Sequence, residues 1–107
     1  GVPPVDVARQ WSTWGPKVVV LTGGPAGAWA CVNGSVVAHE TAPTVAVVDT
    51  VGAGDTLMAW LVTGLVSSDW STSAVTSVLQ RAVVAAAITC TRQGCQPPSA
   101  AEVTAAL

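Results

Sequence analysis

TVAVVDTVGAGDTLMAWLVTGL, residues 44–65, decides the fold class of this chain. Its first part, Thr44–Asp49, is a short β-branched run that reads as a strand. Thr50–Gly54 is a turn of small residues. Leu57, Leu61 and Leu65 then recur every four residues, with Met58 and Val62 beside them, which marks an amphipathic helix. Ser67-Ser68-Asp69 ends it. A strand, a glycine-rich turn and a helix in that order form one unit of a layered α/β architecture.

The flanks extend the same pattern. Upstream, Val5–Trp14 reads as a helix that Gly15-Pro16 stops. Lys17–Thr22 (KVVVLT) is a β-branched run bounded by glycines, which predicts a buried strand of a parallel sheet. Gly23–Gly27 is a turn of small residues. Ala28–Val32 and Ser35–Glu40 flank Asn33-Gly34, a strong hairpin signal because both turn residues tolerate positive φ. Downstream, Val75, Val78, Leu79, Ala82, Val83 and Ala86 predict a helix over 72–91, terminated by Gly94 and Pro97-Pro98. Ser99 caps a last helix running to Leu107, with Glu102 completing a capping box. No repeat or linker interrupts the series. The expected architecture has parallel strands, a β-hairpin and two to three helices. It is one domain over 1–107, incomplete as a fold.

Composition narrows the function. The chain has 107 residues, of which 50% are hydrophobic and only 9% charged. An independent soluble domain usually carries about 25% charged residues. Part of the surface is therefore expected to be covered by further polypeptide or a partner. The four basic residues, Arg9, Lys17, Arg81 and Arg92, form no run that could neutralise a phosphate backbone, so nucleic acid is excluded as a partner. No apolar run reaches the roughly 20 residues of a membrane span. The chain opens on Gly-Val-Pro-Pro without Met or a signal-like pattern, as a processed, truncated or engineered product would. Three cysteines, Cys31, Cys90 and Cys95, lack metal-site spacing and are expected to be buried free thiols of a cytoplasmic protein.

Chemistry concentrates in Asp49–Thr56. The first amides of a helix lack partners within it and face an anion favourably. Gly52, Ala53 and Gly54 leave that backbone open. Asp55 stands at its rim, where a carboxylate can orient a hydroxyl and accept its proton during phosphoryl transfer. A second reading competes on these residues alone. The turn could be an ordinary strand-to-helix bend in which Asp55 or Thr50 caps the helix. The P-loop pattern fails for want of a Lys, and G-x-G-x-x-G fails because residue 57 is Leu57.

Asp-Thr-Val-Gly-Ala-Gly-Asp-Thr, contiguous from Asp49 to Thr56, resembles the C-terminal signature of ribokinase-like (phosphofructokinase-B-type) sugar kinases. The resemblance implies the C-terminal, nucleotide-binding part of a three-layer ribokinase-like fold. It implies ATP-dependent phosphorylation of a sugar hydroxyl, with Asp55 as catalytic base and Gly52, Ala53 and Gly54 as the anion hole. Thr22–Gly27 is similar to the family's T-x-G-x-x-G loop, which implies ATP contacts at Thr22, Gly24 and Gly27, joined by Gly54 and by Val83 near the adenine. Ala85–Pro98 resembles the family's alanine-rich helix and turn. A monovalent cation such as K⁺ would then sit among Asp49, Val51, Thr89, Arg92 and Gly94, with Mg²⁺ accompanying ATP.

The surroundings of the Asp55 loop look most like those of fructokinases, so fructose leads as acceptor. Ribose, keto-deoxygluconate, a nucleoside or a vitamin precursor are the other acceptors of the superfamily. The sequence departs from the pattern at Leu57, where Phe is common, and at Trp60, where a small residue is usual. The implied partners are sugar, ATP and the rest of the parent polypeptide, and the resemblance also allows a homodimer of the full-length enzyme. The sugar-binding N-terminal part is absent, so the isolated chain is expected to be inactive. A non-catalytic remnant or interaction fragment is the alternative from another class. His39 reads as an exposed hairpin residue, and Trp11 and Trp14 as core.

Overall fold

The computed structural model describes residues 3–107; Gly1 and Val2, with which the expected domain begins, lie outside. Helix α1 spans Pro4–Trp11, and strands β1, β2 and β3 span Val19–Thr22, Ala28–Val32 and Ser35–Glu40. Helices α2, α3 and α4 follow over Ala53–Leu65, Thr72–Cys90 and Ala100–Ala106. Pro25 sits in a short 3₁₀ turn, Gly24–Ala26, between β1 and β2.

The sheet runs β1-β2-β3, and both of its pairings are antiparallel. The expected parallel pairing of β1 is not made within the described residues: β1 runs straight into the Gly23–Gly27 turn and folds back on β2, and its outer edge has no strand partner there. Asn33 and Gly34 turn the hairpin with φ of 47° and 85°. Positive φ at both positions matches the twist of the flanking strands.

Ala28, Ala30 and Ala38 present small side chains from the sheet to α2 and α3. The Leu57, Leu61 and Leu65 stripe of α2 meets Val75, Leu79, Ala82 and Val83 of α3 over them. Each leucine contributes about 2 kcal/mol by leaving water. Strand alternation turns Cys31, which is fully buried, toward the other face. There α1 packs through Ala8. The Arg9 guanidinium donates to the Gly34 carbonyl (3.0 Å), and the Gly34 N–H donates to Ser12 Oγ (2.8 Å). Helix–sheet–helix layering is thus present around a short antiparallel sheet.

Two helix ends follow local chemistry. Ser71 caps α3 by accepting from the Ala74 N–H, and Ser99 and Glu102 form the expected capping box of α4. Helix α3 is long and apolar enough, by length and composition, to cross a membrane. Here it serves as the core helix, packed on α2 and the sheet.

Three expectations are corrected. Thr44–Asp49 is extended but forms no strand. Its Val48 and Asp49 amides both donate to the Cys90 carbonyl, at 2.8 and 3.1 Å. β-Branched residues favour extended backbone, but a strand exists only where a neighbour takes its N–H and C=O groups. Trp11 and Trp14 are exposed and stack on each other, with ring centroids 6.2 Å apart, rather than entering the core. Helix α1 ends before Trp14 can turn inward. Of the three free thiols only Cys31 is buried; Cys95 is exposed.

Candidate active site

Four contacts fix the turn into α2. Gly52 is the N-cap residue in the left-handed region, φ 81°. Its carbonyl accepts from the Thr56 N–H (2.9 Å), while the Thr50 carbonyl accepts from the Ala53 N–H (3.2 Å). Asp49 Oδ1 accepts from the Val51 N–H (3.0 Å), closing an Asx turn. Asp49 Oδ2 reaches across the structure to accept from the Gly94 N–H (3.0 Å). Donation from the Val51 amide, then from the Gly94 amide, holds the Asp49 carboxyl below its ordinary pKa.

The loop after α3 is therefore the other half of the site. Cys95 packs so tightly on Gly52 that a Cβ there would lie 2.2 Å from Sγ. One turn into α2, the buried Thr56 hydroxyl meets the Thr89 hydroxyl (3.2 Å), which also bonds to the Ala85 carbonyl (3.0 Å). Arg92 holds the loop's far side: Nη1 donates to the Gln96 and Pro97 carbonyls, both at 3.3 Å, and Nη2 pairs with Glu102. The Ser99 amide, and then Arg92, keep the Glu102 carboxyl below its usual range.

The competing helix-cap reading does not describe this turn. The N-cap is Gly52, and no side chain caps α2. Asp55 is exposed in the first turn, and among the described residues its carboxylate accepts no hydrogen bond. The N–H groups of Gly54 and Asp55 likewise have no protein acceptor among the described residues. A Cβ at Gly54 would meet nothing within 4 Å, so the approach to those amides is open. The Ala53 amide, by contrast, is already engaged by Thr50. The arrangement can receive an anion on the free amides with a carboxylate standing beside it.

The second loop is self-contained. Gly23 N–H donates to the Gly27 carbonyl (2.8 Å), and Gly27 N–H donates to the Gly24 carbonyl (2.9 Å). Thr22 and Gly24 are exposed, but Gly27 is buried against the Glu40 carbonyl. Gly27 thus shapes the loop, and its amide is spent within it. His39 stacks on Trp29, with centroids 4.3 Å apart, and its Nε2 lies 3.0 Å from the Ala26 carbonyl. It is exposed, as expected, yet it braces this loop, a role that its position in the sequence did not signal.

Val83 does not reach an open face. It lies in the core with Leu57 and Leu79, only 4% exposed, because its position on α3 faces the sheet. Trp60 packs between the main core and the smaller cluster of Val84, Ala85 and Val103. For an alkali cation the surroundings offer only hard oxygen donors: the Asp49 carboxylate and the carbonyls around Val51, Thr89, Arg92 and Gly94. The Thr89 carbonyl already accepts from the Arg92 N–H (3.2 Å). Asp49, Val51 and Gly94 are brought together directly by the carboxylate. Among the described residues, no three of His, Cys, Asp and Glu gather into a metal centre. Mg²⁺ would therefore have to come with a nucleotide's phosphates and water.

The profile of the pfkB family of carbohydrate kinases matches residues 3–102. The chain belongs to that family. Solved structures agree. The ribokinase of Thermotoga maritima superposes with a TM-score of 0.78 at 26% identity, covering 96% of this chain and 34% of its own. A fructokinase from Vibrio cholerae O395, in its fructose-, ADP- and potassium-bound form, gives 0.75 at 27%, covering 83% and 30%. Aminoimidazole riboside kinase from Salmonella enterica, complexed with aminoimidazole riboside and an ATP analogue, gives 0.74 at 25%, covering 83% and 31%. No curated protein sequence matches the chain. This pfkB-family chain has the ribokinase-like α/β fold and spans about a third of the length of these structures.

Proposed function

We propose that this chain is the phosphoryl-transfer end of an ATP-dependent kinase that acts on a sugar hydroxyl. The observation that carries the reading is the uncommitted Asp55 carboxylate beside the free Gly54 and Asp55 amides, in a turn that no side chain caps. The family membership supports it.

In this mechanism Asp55 orients the acceptor hydroxyl and takes its proton as the new O–P bond forms and the bond from the γ-phosphorus to the bridging oxygen breaks, that oxygen leaving with ADP. The amides of Gly54 and Asp55, backed by the dipole of α2, stabilise charge on the transferring phosphoryl group. Gly52 supplies the bend rather than a blocking side chain. Thr22 and Gly24 lie along the ATP phosphates, and Mg²⁺ bound to ATP would supply charge neutralisation there. Asp49 and the carbonyls of Val51 and Gly94, with those near Thr89 and Arg92, would hold a monovalent cation such as K⁺ behind the anion hole. Two structural relatives carry fructose and ADP with potassium or calcium in their own sites, which supports nucleotide and cation use. Fructose is the first acceptor to test. The acceptor pocket belongs to the rest of a full-length cytoplasmic enzyme, and the chain by itself turns over no sugar.

Steady-state kinetics of Asp55→Asn in the full-length enzyme tests the assignment. Loss of a positioned general base lowers kcat by about 10²- to 10⁴-fold, and KM for ATP should hardly move. A variant retaining more than a tenth of native kcat would remove Asp55 from the chemistry.

A further inference from the structure

We infer that the groove between α2, α3 and α4 is a binding site for a small apolar carboxylate, with Arg81 holding the carboxylate and Trp60 walling the apolar body. The groove has a volume of about 390 Å³, within the range of roughly 300–1,000 Å³ usual for small-molecule sites. Trp60, Thr63 and Gly64 line it from α2, Val78 and Arg81 from α3, and Ala100 from α4. No residue of the phosphoryl-transfer turn, of the loop after α3 or of the sheet is among its walls.

The packing beneath the groove keeps it open. Helices α2 and α3 meet so closely at Gly64 that a Cβ there would stand 2.7 Å from Val78 Cγ1. That contact closes the floor. Trp60 packs against both the main core and the cluster of Val84, Ala85 and Val103, so its ring is held as a wall rather than free to fill the space. The hydrogen-bonding side chains of the lining, Trp60, Thr63 and Arg81, can all donate, and no carboxylate stands among them.

Charge selects the occupant. Arg9 pairs with Asp6, Arg92 pairs with Glu102, and Lys17 lies 5.1 Å from the centroid of the Trp70 ring. Arg81 is half-buried, and its guanidinium has neither an ion-pair partner nor a hydrogen-bond acceptor among the described residues. A cation partly withdrawn from water is stabilised by a bound anion. The planar guanidinium matches both oxygens of a carboxylate with two parallel N–H groups. A phosphate ester would bring up to about two negative charges, and no second cation lines the groove to meet them. The other walls are mainly hydrocarbon, so the rest of the ligand is a compact aromatic or branched aliphatic group.

An NMR titration of the full-length protein with phenylacetate, read at the Trp60 indole N–H, tests the inference. It has no catalytic readout, so its outcome is separate from that of the kinase reading. Phenylacetate should shift the signal saturably, with half-saturation at about 1 mM or below. Phenylacetamide, the same body without the charge, should bind about tenfold more weakly, and inorganic phosphate should leave the signal unmoved. Arg81→Gln should bring the acid down to the level of the amide. Ala100→Phe, at the exposed rim, should weaken both. The inference fails if phenylacetate gives no saturable shift, which would show the groove covered or closed in the whole protein. It also fails if acid and amide bind the native protein alike, if phosphate shifts the signal as phenylacetate does, or if Arg81→Gln binds the acid as tightly as the native protein.

Discussion

Gly52→Ala probes the contact that joins the two halves of the site. At φ 81° an alanine pays the left-handed penalty, about 1–2 kcal/mol. Its methyl would also stand 2.2 Å from Cys95 Sγ and 2.8 Å from Cys95 Cβ. Carbon atoms pack comfortably at about 3.5–4.0 Å, so the two loops must separate. Overpacking of this kind costs about 1–3 kcal/mol. The total, about 2–5 kcal/mol, is a large share of a typical domain's stability. Urea unfolding measures it, with an unchanged slope as the sign that only stability has moved. Cys95→Gly removes Sγ and Cβ and leaves the nearest Cys95 atom, Cα, at 3.4 Å. In that background Gly52→Ala should cost only its backbone term. The double-mutant cycle should therefore show a coupling of about 1–3 kcal/mol. Equal costs in both backgrounds would refute the packing of Cys95 on the turn.

Two further outcomes follow from the same geometry. Asp49→Asn should flatten the acid limb of stability. The carboxyl's folded pKa lies below its unfolded value, so its contribution is present above about pH 4 and disappears as pH falls through the folded value. Unfolding midpoints taken from about pH 5 downward should fall more steeply for the native protein than for the variant, and parallel curves would count against the Asp49 bridge. Gly27→Ala should cost about 3–5 kcal/mol, because its Cβ would lie 1.8 Å from the Glu40 carbonyl oxygen and must part β2 from β3. Thermal unfolding reads this directly, and a midpoint within error of native would show that the loop is placed differently.

The hairpin was legible because its signal is local: Asn33 and Gly34 need only their own φ angles. The same holds for the capping box of Ser99 and Glu102, which are neighbours on one turn. Helix α3 was legible from its apolar period and its terminator at Gly94. Pairing was not. KVVVLT has the composition of a parallel strand, yet β1 takes the nearest partner, β2, antiparallel. TVAVVD has the composition of a strand but finds no neighbour within this chain.

The site divides along the same line. The sequence by itself determined that a glycine-rich turn leads into a helix with Asp55 in its first turn, because residue types and their order fix the local backbone. It could not distinguish a helix cap from an open anion site. Of these, tertiary structure decided only the cap, giving the α2 N-cap to Gly52 and, among the described residues, leaving the Asp55 carboxylate without a partner. It also decided that the turn is held from outside. Asp49 reaches Gly94 and Thr56 reaches Thr89, across separations of 45 and 33 residues. Contacts between residues so far apart depend on how α3 packs back over α2, and no local spacing encodes that packing.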